Sequence, residues 1–200
     1  MAVDRSYGSS SSNPSPDFVG DDERWFRLTE TIEQLAGTRS QDEVIEVLRG
    51  TARAIVGAQG IAIVLRDHDQ CYYVAEDAAE PLWQGQRFPA STCVSGWAML
   101  NGQTAVIADI EADPRVPLEA YRKTFVRSLV MVPIGDKPFA AIGAYWSQIR
   151  VPRKQEIAKL EALARSAATA MENGRLIAEL TRVNRELEQR IAELLAARGA

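Results

Sequence analysis

From Pro152 to about Arg198 the chain carries no further proline and a single glycine, Gly174, while Glu, Lys, Arg, Ala and Leu fill most positions. Strong helix formers at that density predict one long helix. At about 1.5 Å per residue, a helix of roughly 45 residues runs 65 to 70 Å, about twice the width of a small domain. Its distal part therefore outruns any domain that precedes it.

The apolar spacing says what covers that part instead. Ile177, Leu180, Asn184, Leu187, Ile191 and Leu194 follow one another at alternating steps of three and four, the a/d spacing of a left-handed coiled coil. Ile at two a positions and Leu at all three d positions favour two parallel strands, and Asn184 at the remaining a position fixes register at some cost in stability. Arg182, Arg185, Glu186, Glu188, Gln189 and Arg190 read as solvated faces. A helix folded back on its own domain is the alternative. A monomer would leave the stripe in water, so the pattern predicts self-association. About three heptads is close to the minimum for such a seam, which then needs support from the domain below it.

Composition is that of an ordinary globular protein: 200 residues, 46% hydrophobic and 25% charged, with a net charge of −4. That balance offers no nucleic-acid or membrane surface. The N-terminus lacks the apolar core of a signal peptide, and no apolar run reaches the length of a membrane span. Cys71 and Cys93 are the only cysteines. Two separated cysteines without a leader read as free thiols, and the expected compartment is the cytoplasm.

In chain order, residues 1–21 are rich in Ser, Gly, Pro and Asp and read as a disordered leader. A helix follows over 22–35, with Trp25, Leu28, Ile32 and Leu35 forming a second narrow apolar stripe that ends at Gly37. Residues 41–56 form a helix with a wide apolar face, opened by the capping box Ser40…Glu43. Strands are predicted at 60–66 and 70–75, joined by Asp67-His68-Asp69. Residues 76–93 read as irregular, 96–100 as a short helix capped by Ser95, and 104–108 as a strand. A loop over 109–117 leads to a short helix within 118–125 and to strands at 128–134 and 139–147. The long helix then starts with Pro152 in its first turn. Strands in succession with helices at both chain ends imply an α+β layer fold: an antiparallel sheet, helices on one face, and the crossover 76–127 on the other. A ligand cavity is expected between sheet and crossover.

The stretch PASTCVSGWAMLNGQTAVIADIEADPRVP, with VRSLVMVPIGDKPFAAIGAYWS and a long helix after it, resembles a GAF domain over residues 22–172. The carriers are SGWAxxxGQ (Ser95 to Gln103), DIxxDPR (Asp109 to Arg115) and RSLVMVPI (Arg127 to Ile134). The tail ENGRLIAELTRVNRELEQRIAEL, within a coiled-coil segment 173–200, resembles the signalling helix that joins GAF domains to histidine-kinase cores in bacterial sensors. No phosphoacceptor histidine box or glycine-rich ATP lid follows in these residues. The resemblance implies a sensor that relays ligand or redox state through a parallel homodimer to a histidine-kinase-type output domain or partner. Its dimer contacts would come from Trp25, Leu28, Ile32, Leu35 and the a/d series Ile177 to Leu194.

The family also suggests chemistries to weigh. Its members that reduce free methionine sulfoxide place a cysteine directly before the glycine matched by Gly96, where this chain has Ser95, with Cys93 two residues earlier. Such a reductase is the enzymatic alternative, and a ligand-free dimerisation scaffold is the structural one. The cyclic-nucleotide signature and the Cys-His pair of bilin carriers are missing, so no cofactor is named. His68, the single histidine, reads as a turn residue. Asp109, Glu111 and Asp113 read as solvated loop carboxylates. Cys93 reads either as a buried small hydrophobe or as a thiol activated at a helix start. The expected ligand contacts are Tyr73, Phe88, Cys93, Trp97, Asp109 and Tyr121.

Overall fold

The computed structural model describes residues 20–198, leaving aside the side chains of 192–196 and 198. The leader expected at 1–21 falls almost wholly outside that span, as does the side chain of Leu194. Six strands, β1 (Gly60–Asp67), β2 (Gln70–Ala78), β3 (Arg87–Pro89), β4 (Ala105–Ile107), β5 (Ser128–Ile134) and β6 (Ala140–Trp146), form one antiparallel sheet in the order β3-β2-β1-β6-β5-β4. Helices α1 (Asp21–Gly37), α2 (Gln41–Val56) and α5 (Lys154–Arg198) cover one face; α3 (Val94–Asn101), α4 (Leu118–Tyr121) and the crossover cover the other.

Both faces are buried, and period-two alternation sorts the side chains between them. On β5 and β6, Val130, Val132, Ile142, Ala144 and Trp146 face the helices, whereas Leu129, Met131, Ala141 and Tyr145 face the crossover. β2 breaks that rhythm. The register shifts where Ile63 pairs Ala75 and Val64 pairs Tyr73, leaving Val74 as the extra residue of a bulge. Cys71 and Tyr73 consequently point to the crossover while Ala75 points to the helices.

Helix α2 forms where its capping box predicts it: the Glu43 N–H donates to Ser40 Oγ (3.2 Å) and Glu43 Oε2 accepts from the Arg39 N–H (2.8 Å). Gly57 closes the helix in the left-handed conformation at φ 73°. Pro152, by contrast, lies ahead of α5 rather than in its first turn. Glu156 opens this helix, accepting from the Arg153 backbone N–H at 2.7 Å while also paired with the Arg150 and Arg153 guanidiniums. Glu156 is 3% exposed. Burial opposes its charge, but those donors outweigh it and hold the carboxyl below the usual range.

α1 corrects one expectation. Leu28 and Leu35 are buried in the chain's own core, and Ile32 packs beside them. A narrow i, i+3, i+7 stripe has the same spacing whether it covers its own domain or a second copy; here α2 and α5 receive it. Trp25 stays half-exposed with the Lys159 ammonium over its ring, and Lys159 pairs with Asp21.

α5 leaves the domain at Gly174, its last buried position before a continuously exposed run over 175–191. A Cβ on Gly174 would lie 3.0 Å from the Arg39 carbonyl oxygen, so the corner between α1 and α2 rests against this glycine. Beyond it Ile177, Leu180, Leu187 and Ile191 are each 45 to 64% exposed, and Asn184 is exposed on the same seam. Leu176 and Val183, at g positions, are exposed too and widen the stripe.

Candidate functional site

The start of α3 is built around a missing side chain. A Cβ on Gly96 would fall 1.9 Å from the Ala90 carbonyl oxygen, so only glycine lets the 3₁₀ turn Ala90–Thr92 seat against the helix. That turn continues β3, whose Phe88 pairs with Cys71 and whose Pro89 pairs with Gln70, and the Ala90 N–H donates to the Asp69 carbonyl at 2.8 Å. The chain then delivers Cys93 to the head of α3. There Cys93, not Ser95, is the N-cap: its extended backbone precedes the helix and its Sγ accepts the Gly96 N–H at 3.4 Å. Ser95 sits inside the first turn, fully buried, with Oγ 3.3 Å from Cys93 Sγ and 3.2 Å from the Tyr73 hydroxyl. A buried serine that finds side-chain partners has no need of the cap position, whereas sequence ranking favours serine over cysteine there.

Beneath this helix head lies an aromatic cluster. The Trp83 ring packs edge-on against Tyr73 (5.5 Å between centroids), Tyr121 (4.7 Å) and Tyr145 (5.5 Å), and Phe88 packs against Tyr73 at 5.5 Å. Trp83 is positioned from two sides: its indole N–H donates to the Ala120 carbonyl, and the Glu76 carboxylate accepts the backbone N–H groups of Leu82, Trp83 and Gln84 at 2.8–3.0 Å. The cavity expected here is thus filled by side chains. Gly143, on β6, leaves the space that the Tyr145 hydroxyl uses. That hydroxyl is buried and has no hydrogen-bond partner among the described residues.

The cluster's titratable groups diverge. Burial pushes the phenols of Tyr73, Tyr121 and Tyr145 up, so they remain protonated donors. The Cys71 and Cys93 side chains lie in the same buried cluster, both as free thiols. Interaction with Cys71, then donation from Ser95 and the Gly96 amide, outweighs burial and holds the Cys93 thiol below its ordinary range. The same interaction, with burial, pushes Cys71 up.

Of the six expected contacts, Tyr73, Cys93 and Tyr121 are brought together in the core of the cluster, and Phe88 and Trp97 pack at its margin. Trp97 carries the Arg115 guanidinium 4.5 Å above its ring, and Asp113 holds that guanidinium bidentately. Asp109 does not join: its carboxylate accepts the Glu111 N–H at 2.9 Å and serves its own loop. Composition pointed past Cys71, Ser95 and Tyr145; period two would have placed Cys71 on the face of Tyr73 along β2 and Tyr145 on the crossover face of β6. His68 occupies a turn at φ 55° with an exposed side chain. Among the described residues no three His, Cys, Asp or Glu side chains converge as metal ligands. No described helix is long and apolar enough to cross a membrane.

A hollow of about 1130 Å³ opens on the helix face, between α5 and the β5–β6 turn; Thr104, Val132, Lys137, Glu161, Arg165 and Thr169 help line it. It contains none of the expected ligand contacts.

Comparison with known proteins completes the picture. A search of curated proteins returns no match. Among solved structures, the chain is similar to the GAF domain of a phosphoenolpyruvate-protein phosphotransferase from Coxiella burnetii (13% identity, 78% of this chain and 96% of that one, TM-score 0.67). It is similar to the free methionine-R-sulfoxide reductase from Neisseria meningitidis solved with its substrate (20% identity, 78% and 92%, TM-score 0.66). It also resembles the phytochrome photosensory core module of Stigmatella aurantiaca, of which it spans 41% (16% identity, 88% of this chain, TM-score 0.66). At these identities the likeness is one of fold. The GAF domain family model matches residues 38–172, well over half of the sequence. This chain belongs to the GAF domain family.

Proposed function

We propose that this GAF domain is a non-catalytic sensory or regulatory module of bacterial signal transduction. It acts in the cytoplasm as a parallel homodimer, and its α5 coil relays ligand or redox state to a histidine-kinase-type or other output. The observation that carries this is the exposed apolar seam Ile177, Leu180, Asn184, Leu187 and Ile191 on a helix that has already left its domain. Half-exposed aliphatic side chains in a continuous stripe are stabilised by a matching stripe. α1 lends the interface no buried leucines, so the seam is the coil itself. Apolar g positions at Leu176 and Val183 broaden it.

The relay is supported by the contact at Gly174, where the α1–α2 corner touches α5 just before the coil begins. A shift of that corner would tilt or rotate the emerging helix, and two packed helices can hold alternative arrangements. A small molecule entering between sheet and crossover would displace Trp83 or Tyr121 and use Tyr73, Phe88, Cys93 and Trp97 as contacts. It would bias the dimer only through unequal affinity for the two arrangements.

Cross-linking tests the geometry. In a parallel, in-register coil, Asn184→Cys faces its own copy and yields a covalent dimer under mild oxidation, while Gln189→Cys, on the outer face, does not. Equal yields from both variants would contradict the parallel seam. The reductase alternative keeps one observation in its favour, the lowered Cys93 thiol. Turnover of free methionine sulfoxide that disappears in Cys93→Ser would establish it in place of the non-catalytic module.

A further inference from the structure

Cys71 and Cys93 are 22 positions apart in sequence, yet three features of the fold converge to place both side chains in one buried cluster. Cys71 shares the crossover face of β2 with Tyr73, the Phe88–Cys71 pairing lays the next segment alongside it, and the 3₁₀ turn wedged against Gly96 returns the chain to Cys93. Cys71 is fully buried, and Cys93 is 5% exposed at the head of α3. We propose that Cys71 and Cys93 form an intradomain dithiol site that a small hydroperoxide converts to a disulfide, with Cys93 as the attacking and Cys71 as the resolving residue. The site lies inside one domain and does not depend on the coil.

The chemistry balances with hydrogen peroxide as the oxidant. The Cys93 thiolate attacks one peroxide oxygen, the O–O bond breaks, and the departing hydroxide takes up the proton that the thiol released, leaving as water. Cys93 is now a sulfenic acid. The Cys71 sulfur attacks the Cys93 sulfur, the S–S bond forms, the S–O bond breaks, and the hydroxide leaves as water with the Cys71 proton. Two thiols are oxidised and one peroxide is reduced to two waters. The roles follow from position. Of the two, only Cys93 keeps any exposure, and the Gly96 N–H and the Ser95 hydroxyl lie against its sulfur. Cys71 needs no access of its own, because its target is the neighbouring sulfur. Larger oxidants such as glutathione disulfide are excluded by burial. Once oxidised, Cys93 has lost the thiolate that accepts the Gly96 N–H, which couples redox state to the head of α3 and to the Tyr73–Ser95 contact beside it.

The test uses the full chain, treated with hydrogen peroxide, alkylated without reductant and digested for mass spectrometry. The expected result is a Cys71–Cys93 cross-linked peptide and loss of both titratable thiols in denaturant. In Cys71→Ala the sulfenic acid should accumulate and react with dimedone. In Cys93→Ser, Cys71 should stay reduced. Wild-type chain that keeps both thiols, cross-links only between chains, or passes to Cys93 sulfinic acid without a disulfide would overturn the proposal. Modification of Cys71 in Cys93→Ser at the wild-type rate would overturn it as well. The wild-type arms stand even if a variant fails to fold.

Discussion

Gly96→Ala separates packing from propensity, because the two push in opposite directions. In a helix interior, alanine is worth about 1 kcal/mol over glycine, so a view confined to α3 expects a more stable protein. The tertiary contact says otherwise. The added Cβ would stand 1.9 Å from the Ala90 carbonyl oxygen and 2.5 Å from its carbonyl carbon, both backbone atoms. Relief requires the 3₁₀ turn to retreat by about 1 Å or more, which strains the Ala90–Asp69 hydrogen bond and the Cys93 cap. Overpacking costs roughly 1–3 kcal/mol and each weakened hydrogen bond about 1 kcal/mol. Less the propensity gain, the net is a loss of about 2–4 kcal/mol. Gly50→Ala in α2 is the matched control, since a Cβ there meets nothing within 4 Å; it should gain about 0.5–1 kcal/mol. Urea unfolding followed by tryptophan fluorescence measures both. If Gly96→Ala is as stable as wild type, or gains alongside Gly50→Ala, the placement of the 3₁₀ turn against α3, and with it the derivation of Cys93 as cap and thiol partner, is refuted.

Other perturbations test separate parts of the account. Glu76→Ala removes the acceptor of three backbone N–H groups and should cost about 2–3 kcal/mol, with Trp83 emission shifting to the red; unchanged emission would mean that Glu76 does not position this loop. Glu156→Gln should cost about 2 kcal/mol near neutral pH. The sign with pH follows from its depressed carboxyl. Its contribution is fully present above the ordinary glutamate value of about 4.3 and is lost as pH falls through the lower folded value. Wild type and Glu156→Gln should therefore converge in stability in acid, and a gap that persists to the lowest pH at which the protein folds would contradict this. The peroxide reaction of Cys93, followed against pH, should inflect below the ordinary thiol value of about 8.5; an inflection at or above it would place Cys93 among inert buried thiols.

Much of the architecture was legible because local signals agreed with the fold. Ser40, Glu43 and Gly57 bracket α2 with capping chemistry, and SLVMVPI reads as a buried strand whichever sheet receives it. The sheet, the helix layer and the 45-residue span of α5 followed from such agreement. What stayed hidden was set by tertiary contact. β3 is three residues on the sheet's edge, too short for any periodicity. The bulge at Val74 sends Ala75 to the helix side while Cys71 and Tyr73 stay on the crossover side, so strict alternation along the whole of β2 misplaces one end of the strand. The α1 stripe had the right spacing for two different partners, and only packing distinguishes them. The cavity was expected from layer geometry, whereas its occupancy depends on side-chain volume: Tyr73, Trp83, Tyr121 and Tyr145 fill it.

The coil seam is tested most directly by the mass of the full chain in solution. Sedimentation equilibrium at micromolar concentration should give twice the chain mass for wild type and a single chain for the Ile177→Asp, Leu187→Asp variant, whose charges lie on a stripe that touches nothing in the domain. A single-chain mass for wild type would contradict the account, and so would a dimer that survives both substitutions.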